Sequence, residues 1–185
     1  MKKRTYIIAL FLILAIVQTA APFSMIVRRE IVLSQGKQFR FKTQPVDPYD
    51  AFRGRYVALR VKEDNIDKPK DMLIQRDQTV YAIIRNDSDG FAKIVEIKVV
   101  RPKSGDYIET KVWYVQKDKV QLKMPFDRFY MEEKSAPKAE RAYWEHSRGE
   151  KESTYIVVSI KSGLAVAKDL YIGGKPISEF IKTIK

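Results

Sequence analysis

The chain has 185 residues, no cysteine, a single histidine and a net charge of +12. That length suits one domain with an appendage. The missing cysteines exclude disulfides, thiolate metal sites and cysteine nucleophiles, and the lone His146 excludes a multi-histidine metal centre within one chain. A basic excess of this size suits acidic partners, either nucleic acid or an anionic membrane surface.

Lys2, Lys3 and Arg4 are followed by eleven unbroken apolar residues, Ile7 to Val17, and no residue from Tyr6 to Val27 is charged. As a helix, those 22 positions reach roughly 33 Å, enough for a bilayer core. A cleaved signal peptide competes with a retained signal anchor. The anchor is favoured, because the best cleavage position, after Ala21, would be followed by Pro22. The segment has no polar face, which argues against a buried core helix. Residues 1–35 are therefore expected to form a membrane anchor helix. It contacts lipid through residues 6–27, continues unbroken from about Lys3 to about Ser34, and stops at Gly36. Arg28 and Arg29, the first charges after the span, are expected at the membrane–water interface. Basic residues flank both ends, so the positive-inside count is ambiguous. A short tail before one span normally stays in the cytoplasm, which gives a single-pass protein of the cell membrane with residues 36–185 as an extracytoplasmic domain.

Beyond Gly36, period-two alternation predicts strands at 38–43, 56–61, 79–85, 91–100, 107–115, 119–124, 154–160 and 164–172. Asn86–Gly90 and Lys161–Gly163 read as hairpin turns. A helix is expected after Ser135, with serine as its cap and Pro137 in its first turn, and a second helix at 177–184. Residues 62–78 read as a long charged loop. The fold class expected is mainly β: an N-terminal transmembrane helix, then an antiparallel β-sandwich or open barrel with one or two short helices.

Chemical constellations are few. Asp87, Asp89, Gly90 and Glu96 have a calcium-loop spacing, but Arg85 stands where the first carboxylate belongs, so a hairpin turn explains them better. Ser24 falls inside the span and does not suit a serine–lysine peptidase. His146 and Ser147 are helix neighbours whose side chains diverge. Glu132, Glu133, Glu140 and Glu145 read as a solvated face. Trp113 and Tyr114 with Lys111 and Lys117 form no evident stacking platform, and no nucleic-acid partner is expected. No metal and no cofactor is expected.

Residues 45–61 read PVDPYDAFRGRYVALRV, placing Gly54, Tyr56 and Leu59 at a G-x-Y-x-x-L spacing. This resembles the GDYXXLXY family of small bacterial membrane-anchored proteins. RREIVLSQGK at 28–37, PFDRFYMEEKSAPKAERAYW at 125–144 and SGLAVAKDLYIGGKPI at 162–177 resemble further family segments in the same order. Arg55 and Val61 depart from the motif's aspartate and final tyrosine. The resemblance implies an anchor, a size and a topology, not a reaction. Read physically, Asp47, Pro48 and Asp50 build a turn, and Arg53 and Gly54 lead into a strand. Gly54 is expected to need a positive φ or a close backbone approach. Val57, Leu59 and Val61 face the core, with Tyr56 and Arg60 on the other face. Asp47, Asp50, Arg53, Gly54, Tyr56 and Leu59 are the candidate motif or binding residues.

The expected function is a non-enzymatic binding or assembly partner of another membrane protein in the cell envelope. The alternative left open is an enzyme or ligand-binding domain acting on an anionic envelope component, with its site at 47–60.

Overall fold

A computed structural model describes residues 2–45, 56–69, 73–147 and 154–184. Asp47, Asp50, Arg53, Gly54 and Arg55 lie outside the described residues. Helix α1 (Lys2–Gln35) is continuous, as expected, and contains Pro22. The hydroxyls of Thr19 and Ser24 donate to the carbonyls of Ala15 and Ala21 within it, at 2.9 and 2.7 Å. Fourteen large apolar side chains from Tyr6 to Val27 are exposed. The helix is long and apolar enough to cross a membrane, and that span buries nothing against the rest of the chain.

Gly36 ends α1. Its N–H donates to the Val32 carbonyl at 2.8 Å. A Cβ at this position would collide with that same oxygen and lie 3.0 and 3.2 Å from the backbone N and O of Ile160. The glycine is thus required by close approach, not by a left-handed φ. The junction lets the last turns of α1 pack on strands β9 and β10 described below, burying Val32.

Strand β1 (Lys37–Pro45) starts at once. It pairs antiparallel with β9 (Tyr155–Lys161) along residues 37–42 and with β2 (Tyr56–Val61) along 43–45. Adding β8 (Arg128–Tyr130), β10 (Leu164–Ile172) and β11 (Lys175–Pro176) gives a six-stranded sheet in the order β11-β10-β9-β1-β2-β8. A second antiparallel sheet runs β3-β7-β6-β4-β5, from β3 (Asn65–Asp67), β4 (Thr79–Asn86), β5 (Ala92–Lys98), β6 (Tyr107–Val115) and β7 (Lys119–Lys123). Curled as a half-barrel and a nearly closed barrel, the two sheets share one apolar cluster, Phe39, Phe41, Val57 and Leu59 meeting residues such as Val80, Ile108 and Leu122. Phe41 and Phe126 form a tilted ring pair at 5.2 Å. The mainly β class read from the sequence is the class observed.

The eight expected strands are all present, with ends that agree or differ by one to two residues. Three short ones were not foreseen. β3 lies inside the charged stretch read as a loop, where Asn65, Ile66 and Asp67 pair with Gln121, Val120 and Lys119. β8 and β11 have three and two residues, too short to show periodicity. The turn at 86–91 is a hairpin: Asp87 Oδ1 accepts the N–H groups of Asp89 and Phe91 at 3.0 and 2.9 Å, and Gly90 has φ +77°. The Phe91 N–H foremost, then Lys93, hold the Asp87 carboxyl below its usual range.

Helix α2 (Ala136–His146) begins after Ser135, but the serine hydroxyl makes no cap bond. The preceding turn runs straight into the helix, with the Ser135 and Ala136 N–H groups both donating to the Glu132 carbonyl at 3.0 Å. α2 packs on β2 and on the closing helix α3 (Ile177–Thr183), where His146 meets the Phe180 ring edge at 4.9 Å. Its Tyr143, only 2% exposed, donates to the Gln44 carbonyl at 3.0 Å.

Two outcomes are expected from this packing. Gly36→Val should cost about 1–3 kcal/mol in thermal denaturation, because the atoms it meets are backbone and cannot turn aside; a variant melting with the native protein contradicts the close approach. Burial pushes the Tyr143 hydroxyl up to about 12. The unfolded tyrosine ionises near 10, so the stability held in this proton is intact below about pH 10 and drains by about 2–3 kcal/mol as pH rises towards 12. Tyr143→Phe should cost about 0.5–1.5 kcal/mol near neutrality, by removing the hydrogen bond to the Gln44 carbonyl. The gap between the two proteins should then close across that alkaline window, followed by denaturant titration at each pH.

Candidate functional site

The described part of the Gly54–Val61 motif is β2, and its alternation is as read from the sequence. Val57, Leu59 and Val61 are buried at 0–2% exposure, Tyr56 and Ala58 are half-buried, and Arg60 is exposed. Val61, standing where the motif has its final tyrosine, fills core space. β2 pairs with β8 so that Tyr56 lies opposite Tyr130 and Ala58 opposite Arg128. Two stretches separated by some seventy residues of sequence thus become neighbouring strands, and α2 covers the same strand.

Beyond β2 the chain turns through Lys62 and Glu63 to Asp64. The Asp64 carbonyl accepts the Leu122 N–H at 2.8 Å, which ties this turn to β7 in the other sheet. Its carboxylate receives Arg60 Nε at 3.1 Å and Gln121 Nε2 at 3.2 Å. Burial raises the Asp64 pKa, and the Gln121 hydrogen bond and Arg60 charge only partly oppose this. Glu63, on the same turn, is also raised by burial despite the nearby charges of Lys42 and Lys93.

Asp64 and Arg60 stand at one side of an open cleft of about 300 Å³ between the sheets. Gln121 and Lys123 from β7, Trp113 from β6, Arg128 from β8 and Asp127 just before it complete its polar lining. Arg128 is held in place: its guanidinium lies 5.1 Å from the centre of the Tyr56 ring, and Tyr56 meets Tyr130 at 5.5 Å. A hydrogen bond with Tyr130, then the charge of Asp127, raise the Arg128 pKa. Trp113 is 45% exposed, with Lys123 and Arg76 at 5.4 and 5.7 Å from its ring. Planar cations beside an exposed indole are suited to gripping carboxylate, phosphate or aromatic groups. Among the described residues, no group of three or more His, Cys, Asp or Glu side chains is placed to hold a metal ion.

Of the residues singled out from the sequence, Tyr56 supports Arg128 at the cleft rim and Leu59 forms part of its apolar wall. Asp47, Asp50, Arg53 and Gly54 lie outside the described residues. Arg28 and Arg29 are exposed on α1, away from the cleft. Ser24, His146 and Ser147 turn to local helix carbonyls. Sequence reasoning missed Asp64, Gln121, Lys123 and Arg128. Arg128 lies inside the 125–144 stretch noted above and was within reach, whereas Asp64 sat unmarked in a charged run.

A family model, that of the GDYXXLXY protein, matches residues 18–170, from within α1 to β10. No curated protein and no solved structure matches the chain. The match takes in the motif strand, the strand paired to it, α2 and most of the closing hairpin, so the chain belongs to the GDYXXLXY protein family.

Proposed function

We propose that this is a single-pass protein of the cell envelope, with its N-terminus in the cytoplasm and residues 36–185 outside it. In this reading it is a non-enzymatic binding partner of another membrane protein, held at the cleft beside β2. The observation that carries the reading is the pairing of an uncovered apolar helix with an open cleft in which Arg60, Lys123 and Arg128 stand with Asp64, Asp127 and an exposed Trp113. Fourteen exposed large apolar side chains, at roughly 1.5–3 kcal/mol each, favour a covered state by tens of kcal/mol. A bilayer covers all of them at once. Arg28 and Arg29 then stand at the interface, since placing either at mid-membrane costs about 2.5–3.5 kcal/mol. Ala20, Ala21 and Ser24 offer small surfaces for packing against a partner helix. The cleft borders the far half of β1, roughly 25 Å along the strand from Gly36, where the extracytoplasmic part of a partner has free approach. Trp, Tyr and Arg are the side chains that most often dominate protein interfaces.

A second reading, binding or processing of an anionic envelope component, is favoured by one feature: Arg60, Lys123 and Arg128 gather round a cleft that also holds the raised carboxyl of Asp64.

Topology is tested with Ser88→Cys in the otherwise cysteine-free chain. An impermeant maleimide should label it in cells whose inner membrane is intact; labelling only after lysis overturns the orientation. Partner binding is tested by purification at native abundance in mild detergent. Trp113→Ala and Arg128→Ala should each lower recovery of the co-purifying membrane protein by about tenfold or more at unchanged melting temperature. A chain that always purifies alone overturns this reading.

Asp64→Asn bears on the second reading and carries its own pH signature. A folded pKa above the unfolded value of 3.8 means that the carboxyl's contribution is greatest below 3.8 and is lost as pH rises through the folded value. The asparagine variant should therefore gain on the native protein in thermal melts taken upward from about pH 4, and its gain should level off once the folded carboxyl is ionised. A difference that is flat with pH means that Asp64 is not raised.

A further inference from the structure

The end of the domain nearest α1 has its own chemistry, distinct from the cleft. The loop from β5 to β6, residues 99–106, lies there, and three contacts fix it in place. Arg101 Nη2 donates to the Ser162 carbonyl at 2.9 Å, and its Nε to the Tyr107 hydroxyl at 3.0 Å. Lys37, the first residue of β1, pairs with Asp106 at 2.5 Å. Ile108 bridges in parallel to Gly163, whose φ of +89° and contact with the Tyr107 ring admit no side chain. The β9–β10 turn beside it is tied to the helix end, Lys161 Nζ meeting Gln35 Oε1 at 2.5 Å.

What this fixed loop presents is unusual for a surface facing only water. Val100 is 73% exposed and Val99 42%, with Leu164 at 43% on the adjoining turn. Around them stand Lys37, Lys98, Arg101, Lys103 and Lys161, against Glu96, Asp106 and Glu109. Two of those acids are already engaged, Asp106 with Lys37 and Glu96 with Lys98 at 3.6 Å.

We infer that the 99–106 loop is a second membrane contact, in which Val99 and Val100 enter the boundary of an anionic lipid surface while Lys98, Arg101 and Lys103 meet its headgroups. The inference rests on the reading of α1 as a membrane span. Given that span, Val32, buried against the domain, lies about 7 Å along the helix from Val27, close to the depth of a headgroup layer of roughly 5–7 Å on each side of the hydrocarbon. The 99–106 loop, tied to Lys37 and to the β9–β10 turn, lies at that same end of the domain. Apolar side chains ringed by lysine and arginine are the composition that binds such a boundary, through apolar burial and attraction to anionic lipid together. Docking also fixes the tilt of the domain, because a single helical tether leaves it free to swing while a second contact does not.

Because the chain has no cysteine, single labels report cleanly. The full chain carrying a nitroxide at Val100→Cys is reconstituted into vesicles of phosphatidylcholine alone, and of phosphatidylcholine and phosphatidylglycerol in equal parts. Companion labels sit at Ile16→Cys within α1 and Ser88→Cys in the β4–β5 hairpin. Relative accessibility to oxygen and to a water-soluble nickel chelate reads depth. The label at 100 is expected at the headgroup–acyl boundary in the phosphatidylglycerol vesicles and shallower in phosphatidylcholine alone, with the label at 88 in water and that at 16 in hydrocarbon. Replacing Lys98 and Lys103 by Gln should weaken the contact about fivefold for each lysine removed. A label at 100 as aqueous as that at 88, with 16 in hydrocarbon, overturns the docking and leaves the anchor standing. A label at 16 in water overturns the anchor itself. Equal depth at 100 in both vesicles overturns the role of the basic side chains.

Discussion

The close approach of Gly36 to the backbone of Ile160 is the contact from which the placement of everything else follows. A helix can leave a β domain at almost any angle when a flexible linker joins them. Here one residue separates α1 from β1, it has no side chain, and no side chain would fit. The last helical turns rest on β9 and β10, so the axis of α1 is set by the sheet and not by a linker. One end of the domain is thereby committed to the neighbourhood of the helix and the other is committed away from it. The two ends differ in composition accordingly: valines with lysines near the helix, a tryptophan with held arginines far from it.

How much of this could be read from residues alone depended on whether the signal was local. The helix boundary was legible because twenty-two uncharged residues and a later glycine need no partner to be meaningful. The inward face of β2 was legible for the same reason, since Val57, Leu59 and Val61 recur with the period of a strand. Short strands were not legible: Asn65–Asp67 adopts extended pairing only because Gln121, Val120 and Lys119 lie alongside. The cleft falls in the same category. Its residues come from β2, β6, β7 and β8, and their convergence is set by sheet order, which no window of sequence contains. Ser135 failed as a cap for a related reason: the turn beginning at Glu132 leaves its backbone already helical, at φ −90° and ψ −23°, where a capping serine is extended.

The pairing of β2 with β8 gives the family motif a physical meaning. The Gly-x-Tyr-x-x-Leu segment supplies two apolar residues to the core and one aromatic ring to the surface. The segment after Phe126, itself buried in the core, supplies Arg128 to that ring. A guanidinium above an aromatic face keeps its charge and gives up part of its freedom, so it is ready to meet an anion or a ring without first being ordered. Asp64 is a different device. Its carboxylate is buried more than its partners compensate, which is a cost the fold carries unless the neutral form or a bound group relieves it. In the binding reading, a cation from a partner would relieve it; in the enzymatic reading, a raised carboxyl is a ready proton donor.

In the membrane reading proposed above, a basic domain held near an anionic surface would face a conflict that its geometry resolves. Without fixed orientation, the arginines of the cleft would be drawn to the same lipid headgroups as the lysines of the base, and the cleft would be covered by membrane. The attraction falls off within a Debye length, about 8 Å at physiological ionic strength. The cleft strands β2 and β8 lie across β1 from β9 and β10, on which α1 packs. With α1 packed on the sheet and the 99–106 loop tied to Ser162 and Lys37, the nearest charges engage first and hold the distant ones clear. In that reading, the rigid junction is what would let one strongly basic chain turn two separate surfaces to two different partners.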